Sequence, residues 1–316
     1  MDNPPPKCCR ILALDGGGAK GFYTIGVLRE IEGLVGPLHK RFDLVFGTST
    51  GAIIAALVAL GHPVDDIHEL YKSHVVKVMK RWAPWSKTAA LVALGKEVFE
   101  EQDFSAFQTD IGIVCTDWET DRPRIFKTSI DQAHGRKETF VAGFGSKIRD
   151  AVQASCSAYP FFCKKVVITG SGEKLILADG GFCANNPTLY AIADATGSLG
   201  HARKDVRVVS IGLGEYPKPR RYFAPSYWLG YLFTVRLLQK TLEINTQSME
   251  QLRKVLFADV PTIRINNKFT HPELATDLFE HDVDKLGRLW KQGRDAYAEH
   301  ETELRKFLAE QTDADT

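Results

Sequence analysis

Residues 10–60 read RILALDGGGAKGFYTIGVLREIEGLVGPLHKRFDLVFGTSTGAIIAALVAL, and this stretch decides the fold. Arg10-Ile-Leu-Ala-Leu14 is a short apolar run that ends in Asp15 and three glycines, which predicts a buried strand entering a tight turn. From Gly21 onward, Phe22, Ile25, Val27, Leu28 and Ile31 recur at helical spacing until Gly33 and Gly36-Pro37 close the segment. Phe42–Phe46 predicts a second strand and Gly47-Thr-Ser-Thr-Gly51 a second turn. Ala52–Leu60 then predicts a helix apolar on every side and therefore buried. Strand, turn and helix, twice in succession, predict an α/β protein with a mainly parallel central sheet and crossover helices.

Outward from that stretch, Val64–Lys80 predicts a helix and Ala83–Lys87 an interruption rich in Trp and Pro. Strands are expected at Ile111–Thr116, Arg124–Lys127, Val166–Thr169, Leu175–Ala178 and Val206–Gly212, with a helix over 146–155. Past Gly214, Pro217, Pro219 and Pro225 punctuate a basic, aromatic loop. A long helix over Trp228–Phe257, a strand at Thr262–Asn266 and a charged helix over Asp282–Glu310 follow. No repeat or low-complexity linker divides the chain. The expected organisation is a disordered leader (1–9), an α/β domain carrying the motifs (10–215), a helical extension packed on that same domain (216–310) and a disordered tail (311–316).

The chain has 316 residues, enough to bury a sizeable core without metal or disulfide staples. With 40 Lys and Arg against 39 Asp and Glu, it carries no global attraction to DNA or RNA, so neither is an expected partner. None of the six cysteines forms a Cys-x-x-Cys pair or has a His at zinc-finger spacing. Reduced thiols are therefore expected, with no metal. The N-terminal residues lack the basic-then-apolar pattern of a signal peptide, and the longest uncharged apolar stretch, Gly51–Gly61, is far short of the ~20 residues of a spanning helix.

Three motifs carry chemistry. Asp15-Gly-Gly-Gly-Ala-Lys-Gly21 lies between a strand and a helix, so its glycines aim several backbone N–H groups at one point beside a positive helix end. Such a loop holds a phosphate or the oxyanion of a tetrahedral intermediate. Its Gly16-x-Gly18-x-x-Gly21 spacing also matches the dinucleotide fingerprint. That reading needs an acid at the end of the second strand, where this chain has Gly47-Thr48-Ser49; Asp43 lies near that strand's start. Gly47-Thr48-Ser49-Thr50-Gly51 is a Gly-x-Ser-x-Gly turn of the nucleophile-elbow kind, which exposes the Ser hydroxyl at a strand end. A small-residue turn packed under the sheet is the bland reading of the same pattern.

A hydroxyl needs a base. His201, His271, His281 and His300 come late enough in the chain, but three of them sit in polar or charged surroundings, and only His271 lies in a loop able to enter a site. The third motif supplies an alternative. Leu175-Ile-Leu-Ala178 delivers Asp179-Gly180-Gly181, a carboxylate at a strand end with no side chain behind it. An Asp near its ordinary pKa of ~4 is a feeble base, so burial must assist it. Its bland reading is an Asp-Gly turn closing a hairpin with Val166–Thr169.

Taken in order, these motifs and the segment Ala154-Ser155-Cys-Ser-Ala158-Tyr-Pro160 resemble the patatin-like phospholipases over residues 10–215. The resemblance implies a three-layer α/β/α fold and hydrolysis of phospholipid acyl esters. It makes Ser49 the nucleophile and Asp179 the general base, a dyad without histidine. The oxyanion hole would be the Gly16, Gly17 and Gly18 amides helped by that of Thr50. Gly21, Gly47, Gly51, Gly180 and Gly181 would support the motifs, and no cofactor or metal would be required.

A bilayer substrate implies peripheral contact at the inner face of the membrane from the cytoplasm. Two segments mix basic and aromatic side chains: Lys77, Lys80, Arg81, Trp82, Trp85 and Lys87, then Lys218, Arg220, Arg221, Tyr222, Phe223, Tyr227, Trp228, Tyr231 and Phe233. Each reads equally as a packed aromatic loop or a homodimer contact. Length, a bare catalytic domain and the helical extension are similar to the cyclic-dinucleotide-activated phospholipases of bacterial antiphage systems. That similarity implies a cyclic dinucleotide such as cyclic GMP-AMP as activator. An unregulated lipid acyl hydrolase, or a non-enzymatic nucleotide-binding module using the Gly16–Gly21 loop, are the competing readings.

Overall fold

The computed structural model describes residues 8–217 and 226–309. Its strands are β1 (Cys9–Leu14), β2 (Leu44–Thr48), β3 (Asp110–Asp117), β4 (Arg122–Lys127), β5 (Lys165–Ile168), β6 (Lys174–Asp179), β7 (Val206–Ile211) and β8 (Thr262–Ile265). The helices are α1 (Gly21–Val35), α2 (Leu38–Arg41), α3 (Thr50–Ala59), α4 (Val64–Leu70), α5 (Val76–Lys80), α6 (Pro84–Phe99), α7 (Ile148–Ser155), α8 (Gly181–Ala184), α9 (Thr188–Ala193), α10 (Ser226–Leu256) and α11 (Val283–Ala309).

All the strands join one sheet, in which β3, β2, β1, β7 and β8 pair in parallel, each with the next. The mainly parallel expectation holds for these five, while β4, β5 and β6 pair antiparallel. Period-2 alternation accounts for the layers. Leu12, Leu14, Val45, Ile111, Ile113, Val209 and Ile211 enter a core with α1, α3 and α11. Cys9, Ile11, Leu44, Phe46, Val114, Val206 and Val208 enter a separate core with α9 on the other face. The result is the three-layer α/β/α arrangement.

The register of β3 positions everything that follows. Cys115, Thr116 and Asp117 pair with β4 along one edge and with β6 along the other. That second edge is the one β2 occupies as far as Thr48 opposite Val114. Because β6 runs antiparallel to β3 and ends at Asp179 opposite Cys115, β2 and β6 approach head to head and their last residues face consecutive residues of β3.

Several expectations need correction. Cys9 opens β1 and Cys8 is buried, so the leader does not extend to residue 9; residues 1–7 and 310–316 lie outside the described residues. The second strand is shifted to Leu44–Thr48, because Phe42 closes α2 through its N–H to the Leu38 carbonyl. The helix expected over 64–80 contains a π-helical turn at Tyr71–Val75 between α4 and α5. Pro84 does not prolong an interruption but opens α6, at a position where its missing N–H costs nothing. The hairpin of β5 and β6 turns at 169–173, so Asp179 lies beyond the hairpin rather than in its turn. The strand expected at Thr262–Asn266 is β8, so the helical extension also contributes an edge strand beside β7. Among the described residues no helix is long and apolar enough to cross a membrane.

The helix α11 docks on α1 at a crossing without room for side chains. A Cβ on Gly293 would fall 2.0 Å from the Tyr23 carbonyl oxygen, and one on Gly26 would fall 2.1 Å from that of Trp290. Gly293→Val is therefore expected to destabilise the fold by ~1–3 kcal/mol in urea unfolding. Gly287→Ala, on the same helix with nothing near its Cβ, is expected to be neutral or slightly stabilising.

Candidate active site

Ser49 is the single residue between β2 and α3, and its φ of 54° lies in the left-handed region. A non-glycine residue holds that conformation only where its surroundings over-determine it. Here they do. A Cβ on Gly47 would fall 2.5 Å from the Gly51 carbonyl oxygen, and one on Gly51 would fall 2.5 Å from the carbonyls of Leu14 and Asp15. The glycines of Gly-x-Ser-x-Gly thus let the elbow press on itself and on the end of β1. The Thr48 hydroxyl ties the turn to the Ala184 carbonyl at 2.7 Å. The Ser49 N–H donates to Ser155 Oγ at 2.9 Å, while the Ser155 hydroxyl donates to the Val114 carbonyl at 2.6 Å.

Asp179 reaches the same place from β6. Its N–H donates to the Ser157 carbonyl at 3.0 Å, and a Cβ on Gly180 would fall 2.1 Å from the Val114 carbonyl oxygen, which explains the glycine behind the carboxylate. The Ser49 hydroxyl donates to Asp179 Oδ2 at 2.6 Å, and the Gly181 N–H donates to Oδ1 at 2.7 Å. Both side chains are buried. Burial pushes the Asp179 carboxyl up to about 6, against the pull of the Ser49 hydroxyl and the Gly181 N–H. The site itself therefore corrects the weakness of an ordinary Asp as a base.

Gly17, Gly18 and Thr50 line the same slot as Ser49 and Asp179. Thr50 opens α3, where first-turn N–H groups have no intrahelical acceptor, and the Gly17 N–H makes a long contact of 3.3 Å to Thr50 Oγ1. Gly16 differs from them. Its N–H is committed to the Asn185 carbonyl at 3.0 Å, and a Cβ there would fall 2.9 Å from that of Ser49. Gly16 therefore permits close approach, and its N–H is spent on Asn185 rather than turned toward Ser49. The Tyr71 hydroxyl, delivered by the π turn, donates to the Gly18 carbonyl at 2.6 Å, and the Ala19 N–H donates to the Leu278 carbonyl at 3.1 Å.

A family model described as "Patatin-like phospholipase" matches residues 12–192. The chain belongs to the patatin-like phospholipase family. The "cUMP-AMP-activated phospholipase" of Escherichia coli is 59% identical to it over 304 residues, covering 95% of this chain and 94% of that one. A "cGAMP-activated phospholipase" of Escherichia coli strain TW11681 is 27% identical, covering 70% and 67% of the two chains. Another, of Vibrio cholerae, is 26% identical and covers 98% and 97%.

In this patatin-like protein, sequence reasoning missed three supporting side chains. Asn185 clamps Gly16 from both sides, since its amide also donates to the Gly16 carbonyl at 2.9 Å. Ser155 holds the elbow as described. Arg264 of β8 forks onto Asp15 at 2.8 and 2.5 Å and also reaches Ser210 at 2.8 Å. Burial works against the Arg264 charge, but the Asp15 carboxylate outweighs it and pushes its pKa up. Of these, Ser155 sits inside the Ala154–Pro160 segment and Asn185 follows the Asp179-Gly180-Gly181 motif by four residues, whereas nothing local marks Arg264.

The competing assignments find no geometry. Asp43 accepts the Arg10 N–H at the opposite end of the sheet from Ser49. Among the described residues no histidine lines the Ser49 slot. His271 is exposed before a 3-10 turn, His281 contacts the Phe279 carbonyl at the surface, His201 lies near Leu199, and His300 faces Glu303. Lys87, grouped with a surface cluster in the sequence, is buried, and its ammonium donates to the Met79 carbonyl at 3.2 Å. Of the second basic-aromatic cluster, only Phe233 has a described side chain, which is exposed; the others lie outside those described.

Arg264→Met removes one partner of a buried, bidentate ion pair. It is expected to cost ~3–5 kcal/mol of stability, with Asp15→Asn/Arg264→Met recovering part of the loss, as read by thermal and urea unfolding.

Proposed function

We propose that this chain is a phospholipase in which the Ser49–Asp179 pair hydrolyses acyl esters of membrane phospholipids, and that a cyclic dinucleotide switches it on. The observation that carries the chemistry is the 2.6 Å hydrogen bond from a strained, buried serine to a carboxylate of raised pKa, beside the first-turn amide of α3. Asp179 takes the Ser49 proton as Oγ attacks the ester carbonyl carbon, and the resulting oxyanion lies against the amides of Gly17, Gly18 and Thr50. Collapse expels the lysophospholipid alkoxide, which leaves with the proton held by Asp179. Water, deprotonated by Asp179, then attacks the acyl-serine and frees the fatty acid and the Ser49 hydroxyl. Ile53, Val75, Val78, Met79, Leu91 and Leu94 give the slot its apolar lining, as an acyl chain requires.

Support for the switch comes from the relatives named as cUMP-AMP- and cGAMP-activated phospholipases. With it comes a role in bacterial antiphage defence, at the inner face of the membrane. Val78 and Met79 belong to α5, and the loop and helix that follow it carry the exposed Trp82 and Trp85 beside exposed Lys77, Lys80 and Arg81. This edge, next to the slot, is the proposed bilayer contact.

Ser49→Ala is expected to abolish release of fatty acid from phospholipid vesicles, and Asp179→Asn to lower it by about 10²–10⁴-fold, both with native unfolding curves. Full activity in Asp179→Asn would remove the dyad. The base must be ionised to accept a proton, so the rate should climb as pH rises through about 6 and stay level above it. The limb should be absent from any residual activity of Asp179→Asn. Trp85→Ala is expected to slow hydrolysis of vesicles about tenfold while sparing a monomeric short-chain ester, a split that a packing role would not produce.

A further inference from the structure

The Ser49 slot is shut. Its free volume of about 40 Å³ admits a few waters but no acyl chain. Leu238 and Leu242 of α10 close it from one side, and Leu278 and Phe279, from the segment between β8 and α11, close it from another. Phe279 is held under the buried Lys87 ammonium, 4.4 Å from its ring centre, and against Phe161. The closing elements are the side chains that must move before a lipid can react.

Two of them, Leu242 and Leu278, also form walls of a second cavity, which opens behind the glycine loop. At about 750 Å³ it falls inside the ~300–1,000 Å³ range of small-molecule sites. Asp15 and Gly16 line it, so it is one residue away from the amides that face Ser49. The rings of Tyr216 and Phe269, stacked at 5.0 Å, supply a flat platform. The Tyr216 hydroxyl is buried and finds no hydrogen-bond partner among the described residues. Lys20, Lys240 and Lys268 bring cations to the walls, and Glu215 and Glu243 bring acceptors. Flat platform, cations and carboxylate acceptors suit a ligand with planar bases, anionic phosphodiesters and exocyclic amines.

We propose that this cavity is the cyclic dinucleotide site, and that filling it opens the acyl slot by displacing Leu242 and Leu278 from Ser49. The proposal rests on the nucleotide-activated function above and adds to it a location and a mechanical link. That link has a definite hydrogen bond in it, from the Ala19 N–H in the glycine loop to the Leu278 carbonyl at 3.1 Å. A ligand that binds the open state better shifts the population toward it by its differential affinity and by nothing else.

The test titrates cyclic UMP-AMP and cyclic GMP-AMP calorimetrically into the full chain and into Lys240→Glu/Lys268→Glu, with fatty-acid release from phospholipid vesicles followed in parallel. Reversing two exposed lysines is expected to weaken binding by about 100-fold and to move the activation curve by the same factor, at unchanged melting temperature. Should that pair not fold, Lys240→Gln/Lys268→Gln is expected to weaken binding about tenfold. Hydrogen exchange at the Ala19 amide should quicken when the native chain is saturated. Native affinity in the lysine variants, or no binding of either nucleotide to the native chain while it hydrolyses vesicles, overturns the site. Tight binding sensitive to the lysines, with no fatty-acid release under any condition, supports the site and overturns the phospholipase reading instead.

Discussion

Two strands that run toward each other along one edge of a third make this site. β2 leaves β3 after Thr48 opposite Val114, and β6 arrives with Asp179 opposite Cys115. Only consecutive residues of β3 separate the two registers, so backbone pairing brings the two strand ends together, and the elbow with its Ser155 and Gly181 contacts sets the hydroxyl 2.6 Å from the carboxylate. The Val114 carbonyl marks the junction. It accepts the Ser155 hydroxyl, which in turn receives the Ser49 N–H, and it lies where Gly180 can carry no side chain. A slip of one residue in either register would turn the hydroxyl or the carboxylate to the other face of the sheet.

The glycine loop is fixed by a different kind of force. Its backbone has few side chains to pack, so it is anchored by polar contacts from elements distant in the chain. Asn185 holds Gly16, Tyr71 holds Gly18, Leu278 holds Ala19 and Arg264 holds Asp15. Held this way, the loop backbone is fixed before any ligand arrives, and in the proposed mechanism that is the condition for its amides to stabilise developing charge rather than merely bind. The same anchors make the loop responsive, because three of these partners lie on segments that also border a cavity or the acyl slot: Asn185, Leu278 and the π turn that carries Tyr71 and Val75.

The strand–turn–helix units, the elbow and the Asp179 strand are legible because each is written in a local pattern of apolar spacing and glycines. The direction of β6 is not, since Leu175-Ile-Leu-Ala178 is the same run whether it pairs parallel or antiparallel. Arg264 is also invisible, as it meets Asp15 across 249 positions with no pattern to link them. Gly16 misleads because adjacency to Gly17 and Gly18 says nothing about which N–H groups the fold has already used. Lys87 misleads for the converse reason. A lysine among Lys, Arg and Trp reads as surface, yet here its stem is buried on α6 and its ammonium is satisfied by the Met79 carbonyl and the Phe279 ring. Burial pushes its pKa down to about 8 against the opposing pull of the Asp277 carboxylate, so these contacts only partly offset the loss of water.

A closed slot raises the question of what must supply the energy to open it. Leu238, Leu242 and Leu278 are all buried, and fully exposing a leucine costs ~1.5–3 kcal/mol. Exposing two or three of them to water therefore sets a barrier comparable to the ~5.5 kcal/mol that carries a two-state equilibrium from one part in a hundred to ninety-nine. A nucleotide gripped only in the open state can contribute that much, but a bilayer offers a second source. Apolar side chains that leave the slot at the membrane surface pass into hydrocarbon rather than water, which removes most of their penalty. On this account neither input need open the slot alone: the nucleotide supplies differential affinity behind the loop, and lipid at the Trp82–Trp85 edge covers what the motion exposes. An enzyme built so would stay shut in solution even with its proposed dyad in place, and here the Ser49–Asp179 hydrogen bond is made inside a closed slot.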